Sequence, residues 1–162
     1  MVTKTIIANY GDEDLGKTES IKILYELLRA IDESEDVFYY KPEEHNGDMC
    51  ARVIINNIPV GISSPGDPGS YQEKWLKELI EDEKCQIIVA ACRDTDDKGK
   101  TAKVIERYAA DYGYRIFWTS NARLYHYEDE NNPRVAPKGM LNRFNEQWAE
   151  EIANMIESWC YA

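Results

Sequence analysis

Residues Gln86–Cys92 include Ile87-Ile88-Val89-Ala90-Ala91, a run that is apolar at every position. A strand with one wet face alternates apolar and polar residues. A strand without that alternation is covered on both faces, which is the place of an inner strand in a parallel sheet. Helical patterns able to cover it recur along the chain. Thr18–Ile31 carries Ile21, Leu24, Leu28 and Ile31 at three- and four-residue steps, and Tyr71–Asp82 turns Trp75, Leu76, Leu79 and Ile80 inward. Thr101–Tyr112 reads as a third helix. A fourth, from Gly139 to Ser158, has the stripe Leu141, Phe144, Trp148, Ile152, Ile156 and Trp159. Between them fall the strand-like segments Thr5–Asn9, Asp36–Tyr40, Arg52–Ile55, Pro59–Ile62 and Arg115–Trp118. Such alternation predicts an α/β fold, with a mostly parallel sheet and helices on both faces. One antiparallel hairpin is expected, joining Arg52–Ile55 to Pro59–Ile62 through Asn56-Asn57, because asparagine tolerates the positive φ of tight hairpin turns. Pro59 suits the start of an edge or outer strand. Neither a repeat nor a linker divides the chain, so residues 1–162 are expected to form a single domain.

Charge narrows the partners. Aspartate and glutamate number 30 against 19 lysines and arginines, a net charge of −11. A surface that neutralises nucleic-acid phosphates or anionic lipid needs the opposite excess. No apolar run reaches the length of a membrane span, and the first residues lack a signal-peptide layout. Cys50, Cys85, Cys92 and Cys160 form no Cys-x-x-Cys pair, and neither His45 nor His126 stands at ligand spacing from a cysteine. Reduced thiols serving as small apolar residues, and hence a cytoplasmic protein, are the expectation.

Gly11-Asp12-Glu13-Asp14-Leu15-Gly16-Lys17-Thr18 matches G-x-x-x-x-G-K-[ST] in full, between an apolar strand and a helix start. The spacing has a chemical reason. Glycines at both ends permit a close approach that a β-carbon would block. Loop N–H groups, those of Asp14, Leu15, Gly16 and Lys17 among them, can then wrap a phosphate, and the helix start adds its own unpaired N–H groups. On these residues the chain resembles the P-loop nucleoside triphosphatases. The resemblance implies a three-layer fold with nucleotide on Gly11, Gly16, Lys17 and Thr18. Lys17 would lie between the β- and γ-phosphates, and the Thr18 hydroxyl would be a ligand of Mg²⁺. Asp12, Glu13 and Asp14 are unusual on a loop meant for a polyanion; side chains pointing away from the phosphates would solubilise it.

Elsewhere the family pattern thins. The strand taken as neighbour of the first ends in Ser63-Ser64-Pro65-Gly66-Asp67, which resembles the second switch of small GTPases. Gly66 would face the γ-phosphate. Ser63 stands where an aspartate would hold Mg²⁺ through water, and Asp67 where a residue would position the nucleophile. Arg93 follows the inner strand at the sheet's carboxyl edge, where open α/β folds bind ligands; it could pair with phosphate, or with Asp94 or Asp96. Gly99-Lys100-Thr101 reads as a helix start. Thr119-Ser120-Asn121-Ala122-Arg123 resembles an element that touches the base, and puts Asn121 and Ala122 beside it. Residues 124–138, with His126 and Arg134, form a long irregular segment.

A guanine-reading Asn-Lys-x-Asp is absent, so ATP is the default, with GTP open. The resemblance implies a nucleoside triphosphate–Mg²⁺ protein that hydrolyses slowly, as an ATPase or switch, with Lys17, Asp67 and Arg93 as catalytic candidates. Two alternatives stand beside it. One is a small-molecule or nucleotide kinase, with Arg107, Arg123, Arg134 and Arg143 as lid candidates. The other is a non-hydrolysing binding module. A homodimer or a protein partner stays open.

Overall fold

The computed structural model describes residues 1–11, 17–32, 38–93, 100–120 and 138–162. In chain order the elements are β1 (Thr5–Tyr10), α1 (Lys17–Asp32), β2 (Phe38–Tyr40), β3 (Cys50–Ile55), β4 (Ile58–Ser63), α2 (Gln72–Glu81), β5 (Ile87–Cys92), α3 (Lys100–Tyr112), β6 (Arg115–Thr119) and α4 (Lys138–Cys160), with a short 3₁₀ turn at Pro42–Glu44. The six strands form one mixed sheet in the order β2-β3-β4-β5-β1-β6. β5 pairs in parallel with β4 and β1, and β1 in parallel with β6. β3 alone runs against its neighbours β2 and β4.

All six residues of β5 are buried, as its unbroken apolar run requires. Alternation divides the side chains between two cores. Ile7, Ile87, Val89 and Ala91 meet Ile21, Leu24 and Leu28 of α1 and Trp148, Ile152 and Ile156 of α4. Ile6, Ala8, Ile88 and Ala90 meet Trp75, Leu76 and Leu79 of α2 and Ala102, Ile105 and Ala109 of α3. The four thiols are buried and unbridged, three in the second core and Cys160 in the first. Burial pushes the Cys85 thiol up to about 12, which leaves it a packing residue rather than a nucleophile.

The hairpin closes through Asn56 (φ 48) and Asn57 (φ 63), the two left-handed residues of a primed turn. Asn56 Nδ2 also donates to Cys160 O at 2.8 Å, satisfying a carbonyl at the end of α4.

Two expectations are corrected. Pro59 lies on an inner strand, since β4 sits between β3 and β5. With Ile55 and Ile58 as the hydrogen-bonded pair beside the turn, the Pro59 nitrogen faces away from β3. On its other side, pairing with β5 starts only at Val60, so no ladder bond is lost. The strand next to β1 is β5, not β4. A fully apolar strand needs a neighbour on each side, and β5 takes β1 and β4.

Candidate functional site

The parallel strands end on one edge, at Tyr10, Ser63, Cys92 and Thr119. There Gly11 N–H donates to Cys92 O at 3.2 Å, carrying the β1–β5 pairing one residue further. Lys17, the first residue of α1, is only 9% exposed. Its ammonium donates to Gly11 O and, at 3.2 Å, to Cys92 O. Ser20 Oγ donates to Lys17 O at 2.9 Å and accepts from Asn9 Nδ2 at 3.3 Å, which pins the head of α1 to β1. The result is a positive charge in the gap between two strand ends, with the Gly11 and Cys92 carbonyls among its partners. Phosphate oxygens are stronger acceptors for an ammonium than carbonyls are. Thr18 is half-buried in the same first turn. Asp14, Leu15 and Gly16, like Asn121, Ala122, Arg123, His126 and Arg134, lie outside the described residues.

Asp67 and Arg93, distant in sequence, meet: Arg93 Nε donates to Asp67 Oδ1 at 3.0 Å. Arg93 directly follows Cys92, so this pair borders the carbonyl that Lys17 uses. Two other candidates are packed into the sheet. Ser63 is buried on the α2–α3 side, opposite Cys50 in the β3–β4 register. Among the described residues the Cys50 sulfur is its polar neighbour, and Ser63 Oγ finds no partner at hydrogen-bonding geometry. Thr18 opens α1, which packs on the other face of the sheet. Gly66 is buried against β5: a β-carbon there would lie 2.9 Å from the carbonyl carbon and Cβ of Ala91. That contact alone demands glycine. Of the lid candidates, Arg107 lies along α3 and pairs with Glu73 of α2, while Arg143 is exposed on α4.

Gln72 ties this edge together. Its side-chain amide, 3% exposed, donates to Ala91 O at 3.1 Å and Thr101 O at 2.9 Å. Thr101 Oγ1 in turn accepts Arg93 N–H at 2.9 Å. The start of α3 at Lys100 is as expected from Gly99-Lys100-Thr101. Replacing Gln72→Leu keeps the volume and removes both side-chain bonds. The expected loss is about 2 kcal/mol in urea unfolding; wild-type stability would mean that water reaches these carbonyls.

Among the described residues two hollows open beside the edge. One, of about 520 Å³, lies between β6 and α4 and is lined by Trp118, Ser120, Phe144, Gln147 and Trp148. It borders the end of β6, where Trp148 Nε1 donates to Thr119 Oγ1 at 2.9 Å. The second lies by His45, Asp48 and Tyr71. None of these three was a candidate site residue from the sequence. Their only local signal was the Asn46-Gly47 turn beside them, and no sequence pattern joins residues 45–48 to 69–74.

Among the described residues no three histidine, cysteine or acidic side chains gather as an all-protein metal site would require. Among them, too, no helix is long and apolar enough to cross a membrane. No protein-family model matches this chain, and no curated protein is significantly similar to it.

Proposed function

We propose that this chain binds a nucleoside triphosphate with Mg²⁺, ATP by default, and hydrolyses it slowly as an ATPase or switch. The observation that carries the reading is the buried Lys17 ammonium between the ends of β1 and β5, at the close of a complete G-x-x-x-x-G-K-T. A triphosphate tail would take over that ammonium, and the N–H groups at the head of α1 would add to its hold. The Thr18 hydroxyl fits one position on Mg²⁺, an ion that keeps waters and phosphate oxygens as its other ligands and needs no protein cage. When bound, the ion supplies charge neutralisation on the phosphates. The hollow between β6 and α4, at the end of β6, is where a base would lie.

Hydrolysis joins a water oxygen to the γ-phosphorus, breaks the bond to the bridging oxygen and passes a proton from the water to a base. Asp67 is tied to this edge through its bond to Arg93, and that bond competes with any role in orienting water. This supports slow turnover. Gly66 has a packing role that needs no phosphate, and Ser63, at the end of β4, is the candidate to hydrogen-bond a metal-bound water.

The test is calorimetric titration of ATP and GTP with and without Mg²⁺, followed by phosphate-release assays. Binding that tightens with Mg²⁺ and steady phosphate release without an added acceptor are expected. Release only with an acceptor would favour the kinase, a reading that a second pocket on the same edge also favours. Tight binding without turnover would favour the module, and no binding of either nucleotide would remove the proposal.

A further inference from the structure

A pocket of about 500 Å³ opens on the strand-end edge between the 45–48 turn and the segment that leads into α2. Its walls are built before any ligand arrives. Asn46 (φ 53) and Gly47 (φ 88) are left-handed, and the turn is closed by Gly47 N to Pro42 O at 2.9 Å and Asp48 N to His45 O at 3.0 Å. The Tyr71 ring stacks on Trp75 at 4.6 Å with 5° between planes, and Trp75 stacks on Tyr40. The His45 ring packs edge-on against Tyr71 and Trp75. Its Nδ1 lies 2.9 Å from Lys41 O, so that nitrogen donates, and Nε2 is the acceptor of the neutral ring.

Asp48 forms the polar end. Its Oδ1 accepts Ser64 Oγ–H at 2.8 Å, and Ser64 Oγ accepts Met49 N–H. Burial pushes the Asp48 carboxyl above the usual range; Ser64 opposes this, nearby Asp67 adds to it and Lys22 of α1 opposes it.

We propose that this pocket binds a planar, hydrogen-bond-donating ring of the nucleobase type, carried on a nucleoside or its 5′-monophosphate, as a ligand separate from the triphosphate. Tyr71, 41% exposed and backed by Trp75, presents a rigid surface for stacking. Asp48 and His45 Nε2 supply acceptors for the ring's N–H groups or the sugar's hydroxyls. Lys74 at the rim suits a 5′-phosphate. The volume falls within the range of small-molecule sites. An acidic group deep in the pocket would meet Asp48, and a purely aliphatic ligand would strip water from Asp48 and His45 and return nothing. The proposal concerns binding alone and stands whether or not a triphosphate occupies the loop.

The test titrates the full chain, without triphosphate, with adenosine, guanosine, cytidine, uridine and their 5′-monophosphates, followed by ¹H–¹⁵N spectra. Submillimolar binding of at least one, shifting the Trp75 indole signal, is expected. Tyr71→Ala should weaken it about tenfold or more, and Asp48→Asn should also weaken it, with both variants folded by circular dichroism. Lys17→Ala should leave it unchanged. The proposal is overturned if none of these probes binds up to its solubility limit, or if both pocket variants keep wild-type affinity. It is equally overturned if Lys17→Ala removes binding that Tyr71→Ala retains, since the ring would then sit at the phosphate loop.

Discussion

Replacing Lys17→Ala is expected to weaken triphosphate binding by about 100-fold or more, the scale on which a buried, hydrogen-bonded charge is felt when its partner is charged too. Circular dichroism and the urea midpoint should change little. The head of α1 is still held by Ser20 and Asn9, and its core face by Ile21, Leu24 and Leu28. Lys17→Arg should not rescue binding. A planar fork is broader than an ammonium, and the site that holds Lys17 is bounded by the Gly11 and Cys92 carbonyls. Calorimetry of both variants against ATP–Mg²⁺ decides the matter. Undiminished affinity in Lys17→Ala would mean that nucleotide, if it binds at all, binds elsewhere.

Gly66→Ala is expected to cost about 3 kcal/mol of stability, at the upper end of ordinary overpacking. The new methyl would meet the Ala91 carbonyl carbon and Cβ at 2.9 Å and the Cys92 nitrogen at 3.0 Å. None of these is the end of a flexible side chain, so the strand or the loop must move. The urea midpoint should fall without a change in slope, with or without nucleotide. A glycine needed only for γ-phosphate sensing would behave differently, losing the nucleotide response while keeping its stability. The two variants thus separate a site that grips a ligand from a contact that builds the edge beside it.

How much of this was legible in the sequence depends on the range of the interaction. The inner strand β5 could be read from its own residues, and so could the Asn56-Asn57 turn, because burial on both faces and positive φ leave local marks. The order of the sheet left none. An apolar run shows that a strand is inner, not which strands flank it, and β5 came to lie between β1 and β4. Ser63 was a different case: Val60 and Ile62 already mark one face of β4, and counting one residue on puts Ser63 on the other. For Arg93 the sequence offered Asp94 and Asp96, which lie outside the described residues, while its pairing with Asp67 across two strand ends left no local mark. Gly66 could not be interpreted in advance, because a glycine that makes room for a phosphate and one that makes room for a strand look alike. The P-loop motif was legible in full, but its interior, Asp12 to Gly16, lies outside the described residues, and the nucleotide reading accordingly rests on Gly11, Lys17 and Thr18.

The place of β1 has a bearing on how the molecule assembles. Thr5 pairs with Ile87 on one side and with Arg115 on the other, both far later in the chain. During synthesis the first strand leaves the ribosome long before either neighbour exists, with Ile6 and Ile7 unsheltered. Contacts so distant along the chain close slowly, and an unpaired apolar strand is open to association in the interval. Productive folding is therefore expected to wait for β5, and a chain stalled before that point to keep its first apolar strand exposed.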